Sequence, residues 1–395
     1  MDLERPSPRL VERAGAERRH SGTGGLARTA AAAYVAATLL GVTMRMDLAG
    51  LPSGIPFDHL LHAHSHTLYF GWGALGLLGV LLSEPSAGWL RLAVRGVLIV
   101  VPALFVGFLA TGYHPVTIAI STMAMLTWYV VALGWWRHLD AVPATARLAL
   151  RIGLMYLIGS SLGVWALAAI QANDGSALAE TLAIHAFLLG FGWFLVFALV
   201  GALLHRADRA GWLFDDRAVR RTIRWWAAVA WVTFPLGVAG GPEVWGLGPA
   251  SRAAGLILLA PGVWWVKALW GAATGPDRIL FRASAAWFAL TTVTTAAVGL
   301  AGTSAIAAGG RQGVVIHLHA LFVGFVTPLL ALLLCRQAVR TPLLVHHAGL
   351  TVMLAGLTVV AVGDPRAGTW LALAGALTIW LAGIRWTWPL LWSRR

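Results

Sequence analysis

Three short phrases in this sequence place a histidine five residues ahead of a glycine and follow the glycine with a large aromatic ring. The first reads His64-Ser-His66-Thr-Leu-Tyr-Phe-Gly71-Trp72, the second His185-Ala-Phe-Leu-Leu-Gly190-Phe191, and the third His317-Leu-His319-Ala-Leu-Phe-Val-Gly324-Phe325. A neutral imidazole nitrogen is a good ligand for iron, copper or zinc. Residues two apart on an α-helix point about 200° away from each other. His317 and His319 therefore cannot grip one small ion together, but they can serve two sites on opposite faces. His62 and His66, four apart, share a face with His59 roughly above them, while His64 faces elsewhere. This geometry suits flat cofactors slotted between helices, each held by axial histidines from different helices. The glycine permits close approach by a macrocycle or by a neighbouring helix.

The elements that must position these residues follow from composition. The chain has 395 residues, 58% hydrophobic and only 11% charged, against roughly 25% charged in soluble domains. Apolar runs of about 20 residues recur along its length, each long enough to cross a hydrocarbon core of about 30 Å. Backbone groups in lipid must be paired within their own segment, so the runs are expected to be helices. Alternating ten-residue strands, the mark of a membrane barrel, are absent. Helices are expected at about 28–46, 57–82, 92–112, 115–136, 147–171, 180–204, 222–240, 252–272, 283–305, 314–335, 343–362 and 369–391. The result is an all-α integral membrane protein of about twelve spans. A basic tail (residues 1–26) precedes a single transmembrane domain (residues 27–395).

Charge supplies the orientation. With the amino terminus inside, the outer side receives only Arg45, Arg252, Arg311 and Arg366, and the other 25 of the 29 basic residues fall inside, as the positive-inside rule requires. Both termini are then cytoplasmic, in what is expected to be a bacterial inner membrane. The net charge of +13 sits in short loops rather than on one hydrophilic face, so lipid is the expected partner and nucleic acid is not. The amino-terminal segment has no apolar core of the secretory kind. Cys335, the single cysteine, excludes an internal disulfide and a cysteine-based metal cluster.

In this topology the phrases fall in helices 2, 6 and 10, four helices apart and at similar depth in the outer half of the membrane. The spacing suggests three pseudo-symmetric groups of four helices. Ionisable side chains inside a bilayer are costly and are functional candidates for that reason. Haem propionates would need neutralising, and Arg45, Arg252, Arg311 and Arg366 stand on the correct side to do it by charge-assisted hydrogen bonds.

Twelve helices in three arcs of four, with a paired-histidine phrase His317-Leu-His319 ahead of Gly324-Phe325, resemble the catalytic subunit of haem–copper oxidases and nitric oxide reductases, particularly the C-type branch. The resemblance implies that His317 faces a high-spin haem and His319 a low-spin haem. It implies His66 as the second low-spin ligand, with His62 and His64 as the alternatives. It implies haem of b type as the cofactor, copper as the family's other metal with His185 as one ligand, and a cytochrome or quinone electron donor and partner membrane subunits. The family's adjacent histidine pair on helix 7 is missing, because no histidine lies between Thr222 and Gly240, and Leu189 stands where some members carry a tyrosine. The sequence therefore resembles a haem-binding relative without a complete binuclear centre, engaged in electron transfer or in diatomic-gas chemistry (NO or O2). The NnrS-like family of nitric-oxide-linked membrane proteins is the second resemblance.

The alternative class is a twelve-helix transporter of a metal ion or small solute. Transporters commonly show two halves with intramembrane charges, whereas this sequence repeats every four helices and has no Asp or Glu well inside an expected helix. Other residues read more plainly. Lys267 is expected to snorkel to the interface, and His138 and His205 to flank cytoplasmic loops. His114 lies at an outer turn. His346 and His347 lie near the inner end of helix 11. Thr291, Thr292, Thr294 and Thr295 are expected to bond their own helix, and most of the 21 tryptophans to populate interfacial belts.

Overall fold

Every described residue outside the turns is helical, as a backbone in lipid demands. The computed structural model describes residues 23–81, 88–172, 177–238, 248–272, 275–301, 313, 315–335 and 339–392. Twelve rods follow in order: α1 (Thr23–Leu48), α2 (57–81), α3 (Gly88–Thr111), α4 (Pro115–His138), α5 (Ala144–Ala172), α6 (Ala177–Ala210), α7 (Asp216–Val238), α8 (Gly248–Ala272), α9 (Arg278–Ala301), α10 (Val315–Cys335), α11 (Arg340–Val362) and α12 (Pro365–Trp392). The protein is an all-α integral membrane protein. Among the described residues nine rods are long and apolar enough to cross a bilayer. The other three are α2, whose first ten residues carry four histidines, α7, which begins with four arginines, and α8, whose apolar part is Leu256–Ala272.

Two rods are not plain α-helices. α2 changes to a π-helix over Thr67–Ala74, directly after His66, and α10 does so over Ala320–Val326, directly after His319. π segments of this kind are rare and concentrate at functional sites. The irregularity follows two of the three copies of the phrase, while α6 runs as α-helix throughout.

The three rods that carry the phrase touch one another at the centre. A Cβ on Gly73 of α2 would lie 2.9 Å from Leu195 of α6, and one on Gly76 would lie 2.8 Å from Leu330 of α10. The Tyr69 ring stands 5.6 Å from Phe191 of α6 and 4.9 Å from Phe322 of α10. Trp72 of α2 donates its indole N–H to Thr327 of α10 at 3.0 Å, tying the π segment of α2 to the residue that follows the π segment of α10. α1 packs beside α2 and against α12, and α11 lies along α12.

The tryptophans divide between the surface and the interior. Trp89, Trp225, Trp270, Trp388 and Trp392 are exposed as a belt requires, but Trp72, Trp128, Trp226, Trp265 and Trp386 are wholly buried. The crowded centre uses the large ring as filler, where its area counts most. Lys267 is exposed. His114 receives the Val116 N–H at 3.4 Å and so caps α4.

One end of the bundle holds the ion pairs, Arg147 and Arg151 to Asp140, Arg340 to Asp277, and Arg220 to Asp216. Asp216, the first residue of α7, also accepts from the buried Thr145 hydroxyl of α5. The Thr145 hydroxyl, and after it Arg220, hold the Asp216 carboxyl below its ordinary value against the opposing pull of burial. A depressed carboxylate stabilises the fold above its unfolded value and loses that contribution as pH falls through the folded value. Asp216 is well exposed, so Asp216→Asn should cost less than about 1 kcal/mol at neutral pH. In thermal melts of the two proteins, the difference should vanish once the pH falls below the ordinary carboxylate range.

Candidate functional site

A buried neutral imidazole has one N–H and one lone pair, and the partner of the first decides where the second points. His64 on α2 lies 2.7 Å through Nδ1 from the Ala37 carbonyl of α1. A carbonyl only accepts, so Nδ1 carries the proton and the lone pair is on Nε2. His319 on α10 repeats this, with Nδ1 2.7 Å from the Val315 carbonyl one turn back. His66 does the same with the His62 carbonyl at 2.9 Å. His317 reaches the Thr294 hydroxyl of α9 at 2.9 Å. That hydroxyl already spends its hydrogen on the Thr291 carbonyl, so it accepts from His317, and again the lone pair falls on Nε2. An Nδ1–H fixed by an oxygen acceptor is the usual support of a metal-bound histidine.

His346 and His347 have the opposite tautomer. The Nε2 of His346 meets the Val323 carbonyl at 2.9 Å, and its Nδ1 meets the Tyr34 hydroxyl at 3.1 Å. Trp287 donates to the Nδ1 of His347 at 3.0 Å. Both rings therefore carry the proton on Nε2 and offer no free lone pair to a ligand. Hydrogen bonding alone separates the two classes of histidine.

His64 and His319 face each other. Their ring centroids are 6.4 Å apart and their planes differ by 16°. Among the described residues neither Nε2 has a hydrogen-bond partner. Two imidazoles on opposite sides of one metal, each with a bond of about 2.0–2.1 Å and a centroid about 1.1 Å beyond its nitrogen, stand about 6.2 Å apart. The observed centroid separation is of that size. The Arg45 guanidinium, half-buried on α1 with no carboxylate partner among the described residues, acts electrostatically on both rings. A positive charge left open beside a ligand pair suits an anionic group on whatever the pair holds.

Gly41, absent from the residues singled out by sequence, makes this approach possible. It sits one turn beyond Ala37, and a Cβ there would lie 3.1 Å from the His64 ring. Without it the imidazole reaches over the helix to the Ala37 carbonyl. The phrase glycines serve neighbouring helices: a Cβ on Gly71 would meet Ala33 at 2.6 Å, and one on Gly324 would meet Trp287 at 2.4 Å.

His66 stands elsewhere. Its ring lies 4.2 Å from Phe108 and 6.3 Å from His62, and His62 lies 4.3 Å from Tyr113. These residues form a separate group toward α3, with His59 bonded to the Leu109 carbonyl at 3.3 Å. The ring brought to His319 is thus His64, not His66. His317 turns to α9 while His319 turns to α2, so the pair serves two faces. Thr291, Thr292 and Thr295 bond their own helix, and Thr294 does so while also fixing His317. Arg366 is exposed at the start of α12. Arg311 lies outside the described residues, as do the side chains of His185 and Arg252. Among the described residues no three metal-ligating side chains gather around one point. No known protein-family model matches the chain, and no curated protein is significantly similar to it.

Proposed function

We propose that the protein binds a b-type haem between α2 and α10, with His64 and His319 as its two axial ligands, and that it works in electron transfer. The observation that carries this reading is the facing pair: nearly parallel rings at the separation one iron requires, each with Nδ1–H committed and Nε2 open. Haem held by two histidines supplies one-electron redox chemistry. Held by two protein ligands, such a group would pass electrons rather than take up a gas. Arg45 would neutralise a propionate and, as a nearby positive charge, favour the reduced form.

His317 offers a second, separate lone pair on the opposite face of α10, bonded back to Thr294. It would hold a further haem or metal from one side, and NO or O2 chemistry belongs there. Copper with His185 as a ligand remains part of the proposal for that second site. So do a cytochrome or quinone donor, partner membrane subunits, a bacterial inner membrane and cytoplasmic termini. The last is supported by the ion-paired end of the bundle, where Arg147, Arg151, Arg220 and Arg340 gather.

The test is spectroscopic. Protein purified in mild detergent from cells with ample haem should show a Soret band and, on dithionite reduction, sharp α and β bands. A pyridine haemochrome assay should return b-type haem at one or two per chain. A colourless protein would remove the reading and shift weight to a metal-ion or solute transporter.

A further inference from the structure

The π segment of α10 has a cause that can be read atom by atom. At its end the Thr327 N–H bonds the Phe322 carbonyl, five residues back. The next bond of that ladder would run from residue 328 to the carbonyl of Val323. Residue 328 is proline, which has no N–H. Val323 is left with a carbonyl that its own helix cannot satisfy, in the buried centre of the bundle, where an unpaired polar group is costly. The Nε2–H of His346, from α11, donates to that oxygen at 2.9 Å.

His346 is itself held. It is wholly buried, and its Nδ1 accepts the Tyr34 hydroxyl of α1. The Tyr34 ring is boxed by Trp72 at 5.1 Å, by Trp386 at 4.9 Å and by the bare face of Gly383, where a Cβ would come within 2.6 Å. A chain of defined donors therefore runs from Tyr34 through His346 to Val323, four residues beyond His319. Beside it, Trp287 fills the face of Gly324 and is bonded to His347. The adjacent histidines thus brace the two sides of one π turn.

A π turn holds one more residue than an α turn. If it relaxed, everything on its amino-terminal side would rotate by up to about 100° against the rest of α10. The carboxy-terminal part is anchored by Thr327 to Trp72 and by Leu330 against Gly76. The rotation would fall on His319 and His317. We infer that His346 is a positioning residue: by satisfying the carbonyl that Pro328 leaves open, it holds the π turn and so aims His319 at His64. The aiming of a haem ligand rests on the function proposed above, but the coupling of His346 to Pro328 does not.

The experiment is a cycle on the full chain in a Tyr34→Phe background, so that no phenol is left unpaired. His346→Leu should lower the thermal midpoint by several degrees, and adding Pro328→Ala, which restores an N–H at 328, should recover most of that loss. If His346→Leu does not accumulate at all, the double variant should reappear as folded protein. Either recovery supports the inference, and an equal loss with alanine or proline at 328 overturns it. In otherwise wild-type protein, His346→Leu should move bound haem from low-spin towards high-spin spectra. His346→Gln, which keeps a donor at the Nε2 position, should not. A haem-free wild type would defeat the haem reading and leave the thermal cycle to decide the coupling. Unchanged low-spin spectra in His346→Leu would defeat the positioning role and leave the haem site standing.

Discussion

Alanine at His64 or at His319 should abolish the low-spin haem spectrum, and alanine at His66 should leave it in place. Loss of even an outer partner of a metal-bound histidine costs about 10–100-fold in affinity, so loss of an axial ligand should leave little haem on the purified protein. His66 has the same tautomer as His64, with its Nδ1–H on the His62 carbonyl. The difference is direction: His66 packs at 4.2 Å on Phe108, whereas His64 lies 6.4 Å from His319 and nearly parallel to it. Gly41→Val offers an independent check, because it touches no ligand. A Cβ at 41 already comes to 3.1 Å from the His64 ring, and a branched side chain would force the imidazole off the Ala37 carbonyl. The expected result is haem loss close to that of His64→Ala. Reduced-minus-oxidised spectra on equal amounts of folded protein decide the matter. If His66→Ala bleaches the protein and His64→Ala does not, the ligand pair is the one suggested by aligning the phrases. If neither does, the site is not between α2 and α10.

The phrases themselves were legible, and so was the all-α membrane character, because apolar runs report on burial without needing a partner. What sequence could not choose was which histidine of helix 2 meets His319. Aligning the phrases matches His66 with His319 by position, yet position within a repeat says nothing about which face of one copy meets which face of another. That face is set by contacts from other helices, the Ala37 carbonyl laid bare by Gly41 and the Ala33 methyl seated on Gly71. The π segments were also invisible to periodicity. A pattern of apolar residues hides them, because every residue of Ala320–Val326 is buried. Pro328 was a signal for the α10 segment alone, since a proline inside a helix must leave a carbonyl without its usual donor, and α2 has no proline. His346 and His347 were read by depth alone, as a pair at the wrong end of helix 11. Their role depends on what Tyr34, Val323 and Trp287 present to them, and those residues lie far away in the chain.

The second large effect is expected at Gly375. α11 and α12 run side by side on two pairs of glycines seven residues apart, Gly349 and Gly356 on one and Gly368 and Gly375 on the other. Seven residues are two helical turns, so each pair lies on a single face. A Cβ on Gly375 would stand 2.3 Å from the backbone nitrogen of Met353 and 2.6 Å from the carbonyl oxygen of Gly349, and one on Gly356 would stand 2.4 Å from the nitrogen of Ala372. The obstacles are backbone atoms, which have no rotamer to yield with. In lipid, helices are held by such packing rather than by a hydrophobic force between them. Overpacking a core costs about 1–3 kcal/mol where side chains can shift; here both helices must separate, so Gly375→Leu should lie at or above the top of that range. The melting temperature in detergent should fall by on the order of 5 °C or more. Ala374→Leu, one residue away on the exposed face, should change little. The loss should also reach the ligand pair. α12 supplies Trp386 and Gly383 to Tyr34 and packs along α1, the helix that carries the Ala37 carbonyl, Gly41 and Arg45. Gly375→Leu should therefore weaken haem retention in step with its loss of stability, although residue 375 makes no contact with either histidine. A variant that melts early yet keeps its haem would show that α1 holds His64 without support from α12.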